Sequence, residues 1–447
     1  MKKFVMTLIL VSIHYLLIAQ LPFTQTDWSG GPGQSSMVDF SKFDYSSFVN
    51  YSTAPGEISL TENTNSSFYG VAEYNGKIMV GSSYGNFIYD PIANSWEHSY
   101  SGNFVLYHNT IHNGLLYNLH GNNIYTYDGT KNDYGFGPNG WMQHSNLTSL
   151  GVTSTYTIES IDGDLYLGVR KSSYDAFVLK WNSTTNTWDK LGNSFSHGVI
   201  TIAKYNGDLY AGTHWSCQIF KFNGSSWSAI YSTGLMTVTN FLIHNAKLYA
   251  SGWSGSYNSG KILSFNGSAW STIYTGYGIN KMKSNGNEIV FTARRSGQSG
   301  QMYSYDGSSS TLFHTMPSEL HAFDILTLNG DIFYGGMANA TFGRTATSNF
   351  YKNGSVLEKF NCGYVVSSEI TKASTSWGSL QYDVTTPANS GISVTLREKN
   401  SSSVWGNLIQ FPNNSAITLT ENTIQYIAYF WRFQGNNTSP LQDMPSL

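Results

Sequence analysis

Seven internal repeats of roughly 42 residues, two β-hairpins in each repeat, and no helical apolar period predict an all-β chain. The fold class that these observations imply is a seven-bladed β-propeller with a C-terminal β-sandwich module. Composition agrees with it. Lys and Arg number 24 and Asp and Glu 27 in 447 residues, so 11% are charged, against about 25% in an ordinary globular protein. Aromatics reach 15%. The net charge of −3 and pI near 6.4 exclude a basic surface of the kind that grips a phosphate backbone. Aromatic and β-branched content this high excludes a disordered chain, and no G-x-y repeat or sustained heptad is present.

Residues 1–20, MKKFVMTLILVSIHYLLIAQ, carry Lys2 and Lys3 and then an apolar run from Phe4 to Ala19. That order is a secretory signal peptide with cleavage near Ala19 or Gln20. It predicts a secreted or cell-surface protein with no membrane-spanning segment after cleavage. Residues 21–67 follow as an N-terminal segment containing TDWSGGPGQ (26–34). Cys217 and Cys362 fall about half a ring apart in the repeat scheme, so both are expected free and buried.

The repeats occupy 68–363. A strand, a two-residue turn and a second strand recur as VAEYNGKIMVG (71–81), TIHNGLLYNLHG (110–121), ESIDGDLYLG (159–168), AKYNGDLYAG (203–212), LIHNAKLYASG (242–252), KSNGNEIVF (283–291) and LTLNGDIFYGG (327–336). Their turns begin at 75, 113, 162, 206, 245, 285 and 329. Asn-Gly and Asp-Gly supply the positive-φ pair of a type I′ hairpin. A second hairpin follows each first one, for example FIYDPIANSW (87–96), IFKFNGSSW (219–227) and ILSFNGSAW (262–270). Four strands in about 40 residues is the content of one propeller blade. The Trp that recurs at 96, 141, 188, 227 and 270, and the stripe Tyr125, Tyr127, Trp181, Phe220, Phe222 and Phe265, read as packing between blades.

The x-N-G-x-Φ-Y-x-G strand pair and the Y/F-[DN]-G-x-x-W blade end resemble secreted bacterial propellers of the kelch-like kind. The Gly-Gly pair usual in kelch repeats occurs here at Gly335–Gly336 alone, and WD40 signatures are missing. Residues 364–447 alternate strands with polar turns and predict an antiparallel β-sandwich module. Trp377, Gly378, Leu380, Tyr382, Arg397, Gln425, Tyr426 and Ser439–Pro440 resemble the jelly-roll modules that close many bacterial cell-surface propeller proteins. That resemblance implies that the DWSGGPG segment packs near the C-terminal module.

Function in such a scaffold belongs to variable loops. The connections between second and third strands of the blades carry Tyr84, His120, Lys171, Tyr174, His214, Trp215, Trp253, Tyr257, Arg294, Arg295, Phe342 and Arg344. Aromatic faces stack on the C–H face of a pyranose, and planar polar groups take its hydroxyls. The expected ligand-binding residues are therefore Trp215, Trp253, Tyr257, Arg294, Arg295 and Arg344. Charge is so scarce that the Arg294–Arg295 pair and Arg344 stand out.

Catalytic patterns are weak. With six Arg and no Asp box the chain lacks a sialidase constellation, and no G-x-S-x-G elbow appears. Glu159, Asp162, Asp175, Asp324 and Asp331 show no pairing in sequence, where a glycoside hydrolase needs two facing carboxylates. His108 and His112 are four apart, but in a strand they do not converge as helical ligands would. No metal or cofactor is expected. The expected function is a secreted or cell-surface binding or adhesion protein that recognises a glycan or a surface protein, not nucleic acid. The alternatives are a polysaccharide-active enzyme, hydrolase or lyase, at the channel mouth, and a structural envelope or virion surface protein.

Overall fold

The computed structural model describes residues 44–45, 49–51, 58–60, 67–82, 85–93, 95–101, 106–129, 141–172, 175–255, 257–294, 299–316, 319–338, 349–366, 369–372, 376–382, 390–406 and 409–434. Within them the protein is all-β, built from antiparallel four-stranded sheets in sequence order. Six stand as separate sheets, at 68–101, 109–146, 154–195, 199–232, 237–276 and 278–315. A seventh meander of the same kind, 326–366, is part of a larger sheet. These are units 1 to 7. Unit 3 is typical, with strands Ser154–Ile161, Asp164–Ser172, Asp175–Asn182 and Thr187–Phe195.

Each unit begins with a lead strand that ends in a two-residue turn. Asn75–Gly76, Asn113–Gly114, Asp162–Gly163, Asn206–Gly207, Asn245–Ala246 and Asn329–Gly330 all have positive φ at both positions, as a type I′ turn requires. The sixth turn differs from the sequence reading by one residue. The strand Gly278–Asn285 runs through Asn285, and the turn is Gly286–Asn287.

The sheets are held side by side by apolar clusters, each shared between one unit and its successor. Ala72, Tyr74, Met79 and Ile88 of unit 1 pack on Leu116, Tyr127 and Trp141 of unit 2. Similar clusters join units 2 and 3, 3 and 4, 4 and 5, 5 and 6, and 6 and 7. A further cluster joins Phe333 and Phe350 of unit 7 to Phe68, Val71, Ile78 and Trp96 of unit 1. The recurrent Trp does the packing work expected of it: Trp96, Trp141, Trp188 and Trp227 are buried. Trp188 Nε1 donates to Ser145 Oγ at 3.1 Å and Trp227 Nε1 to the Leu191 carbonyl at 2.8 Å, both in the preceding unit. Tyr125, Trp181, Phe220 and Phe222 pack on the same clusters.

Lead strands are also tied by a repeated polar bond. Thr201 Oγ1 accepts the Phe241 N–H at 3.0 Å, and Asn240 Oδ1 accepts that of Met282 at 2.8 Å. Thr201 and Asn240 lie five residues before their turns; the donors lie four before theirs. Asp324 of unit 7 holds that same position, and its Oδ2 accepts the Val71 N–H of unit 1 at 3.4 Å. The residue at the strand ends acts likewise. Tyr74 and Tyr205 hydroxyls donate to the Gly114 and Ala246 carbonyls of the next turn at 2.8 and 2.9 Å, and His112 and His244 meet Ser160 and Ser284. His112 is therefore spoken for by packing.

The glycine of the repeated Φ-Y-x-G has a steric cause. A Cβ at Gly81, Gly168, Gly212 or Gly335 would lie 2.2 to 2.7 Å from atoms of the residues at the start of the next unit's lead strand. For Gly335 those atoms belong to Phe68 of unit 1.

The tail grows out of the last unit. Strand Ser355–Val366 pairs with Asn349–Lys352 through its first half and with Thr423–Gln434 through Lys359–Val366. Thr423–Gln434 pairs on its other edge with Ser390–Lys399. The expected boundary at 363 thus falls inside a strand, and Asp44–Tyr45 of the N-terminal segment pairs with Val365 and Val366. Leu396, Phe411, Leu419 and Ile424, with Trp377 and Tyr426 against them, form a core for this part. Facing residues Arg397 and Gln425 join through Arg397 Nη2 to Gln425 Oε1 at 2.8 Å, and the guanidinium lies 4.8 Å from the Trp405 ring centroid. Residues 1–20 and Ser439–Pro440 lie outside the described residues.

Gly335→Ala places a methyl against Phe68, and overpacking of this kind costs about 1–3 kcal/mol. A lower Tm by circular dichroism is expected; an unchanged Tm would contradict the close seating of unit 7 on unit 1.

Candidate functional site

The loops between second and third strands of units 4 and 5 lie beside the starts of the following lead strands. His214 bridges to Thr237, the first residue of the unit 5 lead strand, and its N–H donates to the Gly198 carbonyl beside its own lead strand at 2.9 Å; Gly278 N donates to the Tyr257 carbonyl at 2.9 Å. On this face the structure brings four of the expected residues together. The Trp253 and Tyr257 ring centroids are 4.2 Å apart, and the Arg294 Cζ lies 3.9 Å from the Tyr257 centroid, a close cation–π contact. His214 bridges to the neighbouring loop, with its ring 6.3 Å from that of Trp253 and 5.1 Å from that of Trp215. Trp215 itself is 57% exposed. Farther along, Arg170 sits 5.6 Å over the Tyr156 ring in unit 3.

Arg294 ends its strand half-buried, where a free loop residue was expected. Its buried Nε has no hydrogen-bond partner among the described residues. Burial lowers its pKa, with the Tyr257 ring opposing. The His214 imidazole is pushed down to about 4 by burial, then by the charges of Arg170 and His197. Tyr84, Tyr174, Arg295, Phe342 and Arg344 lie outside the described residues, so the structure neither joins them to this group nor separates them from it. His120 is half-buried on the loop of unit 2.

The backbone here is unusual. Trp215, Cys217 and Tyr257 have φ of 61°, 58° and 68°. Every other positive-φ residue besides glycine is Asn, Asp, Ala or Ser among the described residues. A bulky residue in the left-handed region costs about 1–3 kcal/mol. The unit 4 loop is held there by the Thr213 and Ser216 hydroxyls, which contact each other, and by Thr233 N donating to the Cys217 carbonyl at 2.8 Å. Cys217 is free and half-buried, more accessible than the sequence suggested.

A second group was missed in the sequence. Asp324, Lys281 and His108 all lie five residues before their turns, and Glu159 and Lys283 three before theirs. Lys281 Nζ is 3.6 Å from Asp324 Oδ1, which also accepts the Ile325 N–H at 2.9 Å. Glu159, from unit 3, accepts from Thr157 Oγ1 at 3.1 Å and feels both lysines. Burial raises the Glu159 carboxyl against the pull of Lys281 and Lys283. Burial pushes Lys281 down, but Asp324 and Glu159 outweigh it and its net shift is upward. Lys283 is lowered by burial and by Lys281, and His108 is pushed down to about 4 by burial, then by Lys281. Two of the five acids that showed no pairing in sequence, Glu159 and Asp324, thus act on one another's charge and on the same lysines between lead strands. Counting back from each turn would have aligned them.

Among the described residues no group of three or more His, Cys, Asp and Glu is placed to hold a metal ion. No helix among them is long and apolar enough to cross a membrane.

No protein-family model matches the chain, and no curated protein matches it. Among solved structures, the extracellular domain of the B. thetaiotaomicron one component system BT4673 is similar at TM-score 0.39 and 10% identity, over 70% of this chain and 52% of that one. The extracellular domain of BT4673 described as a hybrid two component system gives TM-score 0.45 and 13% identity over 85% and 47%. Saccharomyces cerevisiae Sqt1 gives 0.41 and 10% over 66% and 96%. The chain spans about half the length of the two bacterial domains.

His108 and His214 fix the sign of a pH effect. An unfolded histidine titrates near 6.5, whereas these titrate at about 4 in the fold. Below pH about 6.5 the unfolded chain takes up protons that the folded one refuses, so stability falls towards pH about 4 and then levels. His108→Asn is expected to flatten the Tm profile across that interval relative to wild type. Parallel profiles would contradict a buried neutral His108.

Proposed function

We propose that the chain is a secreted or cell-surface binding protein whose seven units are the blades of a kelch-like propeller. Its loop face recognises a glycan. The packing of unit 7 on unit 1 by the same cluster, glycine and amide bond that join other units supports the ring. One observation carries the binding reading: Trp253, Tyr257 and Arg294 form a continuous aromatic–guanidinium stack beside an exposed Trp215. Two of those aromatics sit in a strained backbone, a conformation kept where surrounding structure over-determines it and found most often at ligand sites. A stack with one aromatic in solvent offers both the C–H surface and the donors that a pyranose needs. The domain division at 21–67, 68–363 and 364–447 belongs to the same proposal, as does secretion through residues 1–20.

A polysaccharide-active enzyme is the second reading. Glu159 and Asp324 share the interior, and burial holds Glu159 towards the protonated form that a general acid requires. Release of reducing ends that is lost in Glu159→Gln would favour it, whereas binding without turnover favours the first reading.

Trp253→Ala and Arg294→Ala are each expected to weaken binding on an extracellular glycan array and in titration calorimetry by tenfold or more, with little change in Tm. Trp215→Gly relieves its left-handed strain, so Tm should hold or rise while binding falls. Unchanged binding in all three would overturn the loop-face assignment.

A further inference from the structure

One ammonium of the interior group has no direct partner among the described residues. Lys281 is matched by Asp324 at 3.6 Å, and Glu159 is met by Thr157. Lys283 stands two residues along the same strand and so points to the same side. Among the described residues its ammonium makes no ion pair within 4.0 Å and no side-chain hydrogen bond. It is a cation with three donors in a mostly enclosed interior, near two carboxylates and a second ammonium.

An aromatic surface adjoins this group. Phe323, Tyr69 and Tyr107, from units 7, 1 and 2, each lie six residues before their turns, one residue ahead of the Asp324, Gly70 and His108 level. Tyr69 and Tyr107 rings are 4.7 Å apart, and Phe323 lies 6.1 and 5.9 Å from them. All three are half-buried. The His108 ring, 6.3 Å from that of Tyr107, links the aromatics to the charges.

We propose that this interior end of the lead strands is a second binding site, which takes a sugar carboxylate, a uronate. Lys283 receives the carboxylate, Glu159 and Asp324 accept from the ring hydroxyls, and the Tyr69–Tyr107–Phe323 surface takes the apolar face. The charge pattern selects this class. One partnerless ammonium matches a single negative charge, and the two carboxylates beside it disfavour a dianionic phosphate or sulfate about twice as strongly as a monoanionic carboxylate. A neutral sugar would leave the Lys283 ammonium without a direct anionic partner, which costs free energy away from water. The site shares no residue with the Trp253–Tyr257–Arg294 stack.

Titration calorimetry with glucuronate and galacturonate, against glucose and galactose, tests the proposal on the full chain. Uronates are expected to bind at least tenfold tighter than the neutral sugars. Lys283→Met should remove that difference, and Tyr107→Ala should weaken uronates about tenfold. Equal affinity for uronates and neutral sugars, or undiminished uronate binding in Lys283→Met, would each overturn the assignment. Should Lys283→Met fail to fold, competitive reductive methylation of the wild-type chain replaces it: uronate is expected to protect Lys283 from labelling, and equal labelling with and without uronate overturns the site.

Discussion

The structure depends on how one lead strand is fixed to the next. Thr201, Asn240 and Asp324 occupy one register position in units 4, 5 and 7, and each accepts a backbone N–H from the lead strand that follows. A lead strand has its second strand on one edge; its other edge carries amides that need acceptors if they are not to be left unsatisfied in the interior. A side chain at the right position supplies one and sets the height of the next unit. Apolar clusters then fill the space between sheets, and a missing Cβ at Gly81, Gly168, Gly212 and Gly335 lets the chain come close enough for both. Asp324 is the member that carries charge as well as an acceptor.

That height setting has chemical consequences. Side chains at equal distances from their turns reach a common level, so Lys281 lies 3.6 Å from Asp324 and His108 feels the charges of both, although more than 170 residues separate His108 from Lys281. Desolvation there acts on every member: it raises Glu159 and lowers Lys283 and His108. The loops are held by the same scaffold. The bridge from His214 to Thr237 and the amide bond from Gly278 to Tyr257 pin them to the starts of the following lead strands, and the rigid frame carries the strained backbone at Trp215 and Tyr257.

Much of this was legible in the sequence. Asn-Gly and Asp-Gly between apolar runs marked the hairpins, because few residue pairs accept two positive φ values, and the recurrent Trp marked the seams between sheets. Trp253, Tyr257 and Arg294 were named from the sequence as loop residues; Trp253 and Tyr257 stack within one unit, and Arg294 reaches Tyr257 from the end of a strand of the next unit. The interior charge group was not found, since Glu159, Lys283 and Asp324 look like isolated polar positions until turns are used as a common origin. The sixth turn was misplaced by one residue because Asn285–Gly286 imitates the motif while the strand continues through Asn285. The tail was read as a separate module, and strand Ser355–Val366 instead serves the last unit and the tail sheet together. Local pattern cannot reveal that sharing, because a long strand alternates in the same way whether it has one pairing partner or two in succession.

Closure of unit 7 on unit 1 is the central claim, and a distance between spin labels tests it most directly. In a Cys217→Ser, Cys362→Ser background, Ala93→Cys with Ser355→Cys labels the exposed outer turns of units 1 and 7. Ser225→Cys with Ser268→Cys labels the equivalent turns of neighbouring units 4 and 5. Double electron–electron resonance is expected to give similar distances for the two pairs. A distance several times longer between units 1 and 7 would show an open array of sheets and contradict the account.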